Sequence, residues 1–427
     1  MVFNKVLSIL FLLAYAYQVF YVLVVLKNRK NREETRKDTG NETASLNTYA
    51  VLICARNEEA VIANLIGDLR KQTYDPSKVD IFVVADNCTD NTAAIAGGCG
   101  AQVYERHDLQ HIGEGYALEA LMKHIREDYP DGYDGYFVFD ADNRLPENFI
   151  SEMDKTFSGG YEIVTGFRST VNFSDNWLSA GASTWFLWES GYLNRARSIL
   201  HTTCRVSGTG FLFSRALAEE MGPWPFHMLT EDTQFSIWCA LHNKRIGFCP
   251  RAVFYDEQPV SFRQSCRQRL RWSHGYLELL PVYGRQLLKG IFSGSFACYD
   301  LTMDIFSMAC LTLTSVLLNT ITAVSLLLKG SAAFLAWAAS AAKALLIIHI
   351  GTTLVALLAL TGSRDKFTRD CSTGRMILYL LLFHLYMDLL IPIIVIALFV
   401  NPGWKQIEHK GKEADAAQAD GRTTGRT

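Results

Sequence analysis

The chain has 427 residues, with 41 basic against 43 acidic side chains and a formal net charge of −2. That length exceeds one ordinary domain, and the near-neutral balance excludes a global pull toward nucleic acid or anionic substrates, so any charge effect must be local. The ten cysteines are scattered singly, with no CxxC pair and no histidines at zinc spacing, which points to reduced, mostly buried thiols.

Taken in chain order, Val6 to Leu26 is apolar, long enough to cross a roughly 30 Å hydrocarbon core at about 1.5 Å per residue. It is longer than a signal-peptide core and no small-residue cleavage pattern follows, so residues 1–27 read as a retained anchor. Lys27, Arg29, Lys30, Arg32, Arg36 and Lys37 follow in a basic linker over 28–47, whereas only Lys5 precedes the anchor. This bias puts the N-terminus outside and the next domain in the cytoplasm, and makes the chain a multi-pass protein of the cell membrane.

Between 48 and 280 short β-rich runs alternate with helical stretches. Ala50–Cys54, Val79–Ala85, Ala101–Tyr104 and Tyr136–Phe139 read as strands. Glu59–Lys71, Asn91–Ala96, Gly115–Ile125 and Pro146–Thr156 read as the helices between them. Such alternation predicts an α/β domain with a Rossmann-like, mostly parallel sheet whose ligands bind at the carboxyl ends of the strands. Arg56-Asn57-Glu58, Asp86 to Asp90 and Asp140-Ala-Asp142 each follow a strand directly.

Asp140 and Asp142 flank one residue, so both carboxylates can enter one crevice and hold a hard divalent cation that bridges diphosphate oxygens; alone, the pattern also fits a solvated turn. Asp86, at a strand end, can accept from a base N–H or a ribose hydroxyl, whereas capping of the next helix suffices for Asp90. Thr230-Glu231-Asp232 precedes the amphipathic stretch Thr233–Leu241. It reads either as a helix start with acids at the positive dipole end, or as a source of a general base in Asp232. Helical spacing puts Gln268, Arg271 and Trp272 on one face, where guanidinium groups can grip a diphosphate and indole can support a sugar ring. The same segment, with Arg263 and Arg267, also fits an amphipathic helix on a bilayer. Trp185, Trp188 and Tyr192 share a face that fits core packing or a sugar path.

A stretch over 281–304 reads as an interfacial helix region. Beyond it, Ile305–Leu328, Ala332–Leu360 and Met376–Val400 are each long enough to span, which gives transmembrane helices over 305–400 and a tail over 401–427. Lys329-Gly330 reads as an exterior turn, and the loop carrying Arg364, Lys366, Arg369 and Arg375 as an interior one. Four full spans put the tail, with Trp404, outside, whereas a last segment broken near Pro392 returns it to the cytoplasm. Lys343, His349, His384 and Asp388 are expected to point inward, since a charged group facing lipid at mid-bilayer costs roughly 2.5–3.5 kcal/mol. Asn41, Asn87 and Asn172 fit the glycosylation triplet, which a cytosolic location empties of meaning.

The order Ala55-Arg56-Asn57-Glu58, Asp86, Gly113-Glu-Gly115-Tyr-Ala-Leu118, Asp140-Ala-Asp142, Ser207-Gly208-Thr209-Gly210, Thr230-Glu-Asp232 and Gln268-Arg269-Leu-Arg271-Trp272 resembles family 2 membrane glycosyltransferases over about residues 48–280. Cellulose, hyaluronan and poly-N-acetylglucosamine synthases are members. The resemblance implies a GT-A-type domain joined to transmembrane helices, a UDP-sugar donor, Mg2+ or Mn2+, and inversion at the anomeric carbon. It places Asp86 at the uridine, Asp140 at the nucleotide, Asp142 at the metal and diphosphate, Arg271 at the pyrophosphate, and Asp232 as the base. Arg56, Asn57, Glu58, Gln268 and Arg269 join the nucleotide-sugar set. Trp272 and Ser207, Gly208, Thr209 and Gly210 face a polysaccharide or lipid acceptor. The resemblance implies no nucleic-acid partner and leaves room for accessory subunits or a homo-oligomer. Two positions depart from the family pattern: Glu114 stands where many members carry lysine, and no proline precedes Asn57-Glu58. The competing readings are a single-transfer lipid glycosyltransferase and a non-catalytic scaffold, the latter favoured by Glu114 alone.

Overall fold

The computed structural model describes residues 2–28, 47–367 and 371–404. The basic residues from Arg29 to Lys37, Asn41, Arg369 and the tail from Lys405 lie outside the described residues. Helix α1 (Val2–Lys27) is followed by β1 (Tyr49–Ala55), α2 (Ile62–Arg70), β2 (Val79–Asp86), α3 (Thr92–Gly98), β3 (Gln102–Arg106), α4 (Glu114–Asp128), β4 (Gly135–Asp140), α5 (Phe149–Phe157) and β5 (Ile163–Thr170). Then come α6 (Trp177–Trp188), a π-helical turn (Glu189–Asn194), α7 (Arg195–Ile199), β6 (Phe211–Ser214), α8 (Arg215–Met221), α9 (Glu231–Leu241) and β7 (Ile246–Asp256).

The strands form one seven-stranded sheet in the order β3-β2-β1-β4-β6-β5-β7. β1 to β4 run parallel, β5 and β7 run parallel, and β6 lies antiparallel between β4 and β5. This is the mostly parallel sheet expected, covered on both faces. β1 shows why: Ala50 and Leu52 enter the core beneath α4, while Val51 and Ile53 enter the core beneath α2 and α5. Side chains alternate across a strand, so a strand apolar at every position is buried on both sides.

Register then aligns the chemistry. Ala55 pairs with Ala85, and Cys54 pairs with Asp140. Arg56, Asp86 and Asp140 therefore leave the sheet side by side at its carboxyl edge. α2 begins later than its apolar pattern predicts, because Glu58 and Glu59 form a turn that binds the next loop. The Glu59 carboxylate accepts from the Asn91 N–H at 3.0 Å, and Asp90 accepts from the Glu59 N–H at 3.2 Å. Trp188 and Tyr192 are buried and stacked with ring centroids 4.9 Å apart, which settles them as core residues.

α10 (Phe262–Phe292) is one helix that runs across residue 280. It leads to α11 (Phe296–Thr302), a second π-helical turn (Met303–Ser307), α12 (Met308–Lys329), α13 (Ser331–Gly362), α14 (Thr373–Asp388) and α15 (Leu390–Ala397). Among the described residues three helical stretches, Phe296–Lys329, Ala332–Gly362 and Thr373–Ala397, are long and apolar enough to cross a membrane. The last is broken at Leu389, and both its flanks rest on the sheet domain. Phe367 packs on Phe173 at 4.9 Å, the Tyr379 hydroxyl donates to the Ser174 carbonyl at 3.4 Å, and His274 Nδ1 meets the Ala397 carbonyl at 2.8 Å. The tail up to Trp404 returns to the sheet domain, where its ring lies 5.2 Å from the Arg56 guanidinium.

His349 Nε2 lies 2.9 Å from Asp388 Oδ2, and its ring centroid is 4.3 Å from that of His384. These three polar groups gather between α13 and α14, although the 2.9 Å approach of His349 Nε2 to Asp388 lacks hydrogen-bond geometry. Lys343 does not point inward as expected but is exposed. At 32 residues, α13 exceeds a roughly 30 Å hydrocarbon core by several turns, so a lysine in its first half can reach the headgroups. Asn87 and Asn172 are buried and hydrogen-bonded, Asn87 to Asp86 and Asn172 to both backbone groups of Gln258. All ten cysteines are free thiols.

Candidate active site

A cleft of about 830 Å³, its open mouth included, lies along the carboxyl edge of the sheet. β1 contributes Cys54 and Ala55 and the following turn Arg56 and Glu58; β2 contributes Asp86, and β4 leads into Asp140-Ala141-Asp142. Glu114 and Ala117 come from α4, Arg168 from β5, Asp256 to Gln258 from the end of β7, Gln268 and Arg271 from α10, and Trp404 from the tail.

Local bonds fix these groups. Asp86 is 4% exposed and accepts from Arg106 Nη1 at 2.6 Å and from Asn87 Nδ2 at 2.9 Å, so its carboxylate is held at the cleft wall. Asp90 caps Thr92 through its N–H at 3.1 Å and its hydroxyl at 2.6 Å, the structural role that suffices for it. The Asp140 N–H donates to the Thr209 hydroxyl at 2.8 Å, and that hydroxyl donates in turn to Asn143. Asp142 accepts from the Glu257 N–H at 3.2 Å. Thr209 is wholly buried behind the acidic loop, so the Ser207–Gly210 turn buttresses that loop from outside the cleft. Gly210 has φ +67°, and a Cβ there would stand 2.2 Å from the Phe254 ring, which leaves no room for a side chain.

The sequence motifs converge unevenly. Arg56, Glu58, Asp86, Asp140, Asp142, Gln268 and Arg271 line the cleft. Asn57 does not; with φ +54° it turns back to accept from the Thr89 N–H at 2.7 Å. Arg269 lies on the other face of α10, 3% exposed, its guanidinium 4.1 Å from the Tyr386 ring centroid and without hydrogen-bond partners on its two Nη atoms among the described residues. Trp272 packs edge-on to Phe186 at 6.2 Å, beside the cleft wall. Asp232, at the start of α9, is close enough to Glu114 and Glu231 to raise the proton affinity of both.

Arg168, Asp256, Glu257 and Trp404 were not found from sequence. Asp256 ends a strand, the signal that Asp86 and Asp140 carry, whereas nothing local marks Arg168 or Trp404. Arg168 Nε donates to Asp256 Oδ2 at 2.8 Å and Nη1 to the Ser207 carbonyl at 2.6 Å, and the Arg56 guanidinium lies 5.2 Å from the Trp404 ring centroid.

Seven carboxylates and three guanidinium groups line the cleft, so a diphosphate cannot rest there on the protein's charge alone. Burial first, and then Asp140 and Glu231, hold Glu114 well above the usual carboxylate range, against the pull of Arg271. Burial and then Asp232 push Glu231 up to about 8. Both groups therefore hold a proton more tightly than an ordinary carboxyl, which eases the placing of a glutamate at 114 in so acidic a cleft. Among the described residues no cluster of three or more His, Cys, Asp or Glu side chains is placed to hold a metal. Oxygen-only donors on Asp140 and Asp142 nevertheless fit Mg2+ or Mn2+, which are held through one or two carboxylates plus substrate phosphates and water.

Comparison with known proteins agrees with this architecture. The chain is 23% identical over 261 residues to a probable glycosyltransferase, YdaM, of Bacillus subtilis, covering 56% of this chain and 58% of that protein. It is 23% identical over 241 residues to the beta-monoglucosyldiacylglycerol synthase of Synechocystis, covering 55% and 49%. It is 25% identical over 249 residues to a poly-beta-1,6-N-acetyl-D-glucosamine synthase of Staphylococcus epidermidis, covering 56% and 57%. The matched stretch thus spans about half the length of these relatives. The mannosyltransferase PcManGT of Pyrobaculum calidifontis, solved with GDP-Man and Mn2+, superimposes with a TM-score of 0.52 at 16% identity, over 83% of this chain and 97% of that one, and shares the fold. A model of glycosyl transferase family 2 matches residues 50–222, and one of glycosyl transferase family group 2 matches residues 137–401. With more than half of its length matched by that second model, the chain belongs to glycosyl transferase family group 2.

Proposed function

We propose that the chain is a membrane-bound inverting glycosyltransferase that moves a sugar from a UDP-sugar to an acceptor hydroxyl in β linkage, extending a polysaccharide. The observation that carries this reading is the convergence of Arg56, Asp86, Asp140, Asp142, Gln268 and Arg271, remote in sequence, on one cleft with Asp232 beside it. Asp86 faces the uridine, and Asp140 and Asp142 hold the Mg2+ or Mn2+. That ion, when bound, offsets the diphosphate charge. Arg271 grips the diphosphate. Asp232 takes the proton from the acceptor hydroxyl as its oxygen attacks the anomeric carbon from the face opposite UDP; the bond to UDP breaks and the configuration inverts. The basic residues after α1 favour a catalytic domain on the cytoplasmic side of a multi-pass protein.

UDP release by the purified protein in detergent, across a panel of UDP-sugars, tests the donor class, and release with none of them overturns it. Asp232→Asn is expected to lower transfer by roughly 10²- to 10⁴-fold while UDP-sugar binding persists; turnover at the wild-type rate would remove Asp232 from this role.

A second reading, transfer of a single sugar to a lipid, is favoured by the return of both flanks of α14–α15 to the sheet domain, which leaves few helices to wall a polymer channel. Product length on a gel separates polymer from one-sugar lipid.

A further inference from the structure

Two side chains at the end of β7 line the cleft without a part in the transfer described above. Asp256 and Gln258 are each 2% exposed. Arg168 turns Nε, at 2.8 Å, and Nη2 to the same Asp256 oxygen, Oδ2. Asp256 Oδ1 is thereby left buried with no hydrogen-bond partner among the described residues, and so is Gln258 Oε1. Buried polar atoms in folded proteins are nearly always paired, so two orphan acceptors on one cleft wall point to a ligand that donates.

Backbone bonds fix both side chains in place. Tyr255 exchanges two backbone hydrogen bonds with Arg144, at 2.8 and 3.0 Å, and the Glu257 N–H donates to Asp142 at 3.2 Å. Asn172 clamps both backbone groups of Gln258, at 2.7 and 2.9 Å. Pro259 follows, which confines Gln258 to extended backbone. The segment is thus stitched to the Asp140–Asp142 loop, the loop assigned to the cation and diphosphate, and a sugar joined to that diphosphate comes to lie against it. Chemistry selects the same ligand. Carboxylate and amide oxygens only accept, so they suit the O–H donors that a sugar ring carries and not a further phosphate. Arg168 is already engaged, with Asp256 and with the Ser207 carbonyl at 2.6 Å, its guanidinium 3.8 Å from the Phe186 ring centroid. A sugar that carries a carboxylate is therefore opposed by Asp256 rather than received by Arg168.

We propose that Asp256 and Gln258, the former held by Arg168, form the subsite that reads the hydroxyl groups of a neutral donor sugar. This rests on the reading of the cleft as a UDP-sugar site. UDP carries no sugar, so a residue that meets the sugar changes the affinity for UDP-sugar and not for UDP. Calorimetric titration of the wild type and of Gln258→Met with UDP, UDP-glucose, UDP-galactose, UDP-N-acetylglucosamine and UDP-glucuronic acid tests this. The neutral donor that the wild type binds most tightly is expected to bind Gln258→Met about three- to tenfold more weakly, the scale of one neutral hydrogen bond, with UDP changed less than about twofold. UDP-glucuronic acid is expected to bind the wild type more weakly than that donor. Equal weakening of UDP and UDP-sugar, weakening of neither, or a preference for UDP-glucuronic acid overturns the proposal. Deoxy forms of the same donor, one hydroxyl removed at a time, supply a second measurement. At least one is expected to bind the wild type about five- to a hundredfold more weakly, because a buried oxygen is left unpaired. Loss of both halves of one bond is not additive, so that form is expected to be weakened less than about twofold further by Gln258→Met. Should Gln258→Met not fold, the deoxy series on the wild type decides alone, and equal binding of every deoxy form overturns the proposal. A wild type that binds no UDP overturns the glycosyltransferase reading as well, whereas UDP binding with all donors and deoxy donors held equally overturns this proposal alone.

Discussion

Glu114 and Glu231 concentrate acid in and beside the cleft, and their raised proton affinity has a consequence for stability. Glu231 has an ordinary carboxylate affinity when unfolded and one near 8 when folded. Between about pH 4.5 and pH 8 the unfolded chain has lost this proton while the folded chain keeps it, so stability falls as pH rises through that window. Glu231→Gln is therefore expected to raise the melting temperature of the ligand-free protein at pH 8 and to change it little near pH 4.5. Melting curves across that range check this, and a gain that grows toward acid pH would contradict the burial argument. A bound cation with its diphosphate would reverse the demand by favouring the ionised carboxylates.

At the scale of elements, the tail completes the cleft. α15 packs along α10, its last carbonyl held by His274, and the chain then delivers Trp404 over Arg56. The element nearest the C-terminal end among the described residues thus shapes a site made otherwise of strand ends far earlier in the sequence. Trp404→Ala is expected to weaken UDP binding by roughly 0.5–2 kcal/mol, the range of a cation–π contact, without changing helix content. Calorimetric titration with UDP measures it; an unchanged Kd would mean that Trp404 only covers Arg56.

At the scale of the molecule, one buried ionic chain joins the N-terminal helix to the sheet domain. The Tyr21 hydroxyl donates to Asp300 at 2.8 Å, Asp300 accepts from Arg197 at 2.7 and 2.9 Å, and Asp304 bridges Arg197 to Arg205. Arg197 is 1% exposed. A charge so enclosed is tolerated only while paired, and removing one partner of a buried pair costs about 3–5 kcal/mol. Asp300→Asn should therefore lower the melting temperature markedly in detergent and loosen α1, seen as faster amide exchange over residues 15–28. A wild-type melting temperature would show that Asp304 alone satisfies Arg197.

Much of this protein was already legible in its residues. Strand–helix alternation, apolar runs of spanning length and acids directly after strands follow from short-range rules of period and hydropathy, and they sufficed to name Asp86, Asp140, Asp142, Gln268 and Arg271 as partners in one cleft. Contacts that no local pattern encodes were decided by the tertiary structure. β6 runs against its neighbours, Arg168 pairs with Asp256 across 88 residues, Asp304 joins Arg197 to Arg205, and Trp404 returns to Arg56. Arg269, inside the motif, turned away from the cleft, because a helix 31 residues long must present part of its surface to α14. Period and hydropathy are properties of neighbours in the chain, whereas burial and ion pairing depend on which distant segments share a volume.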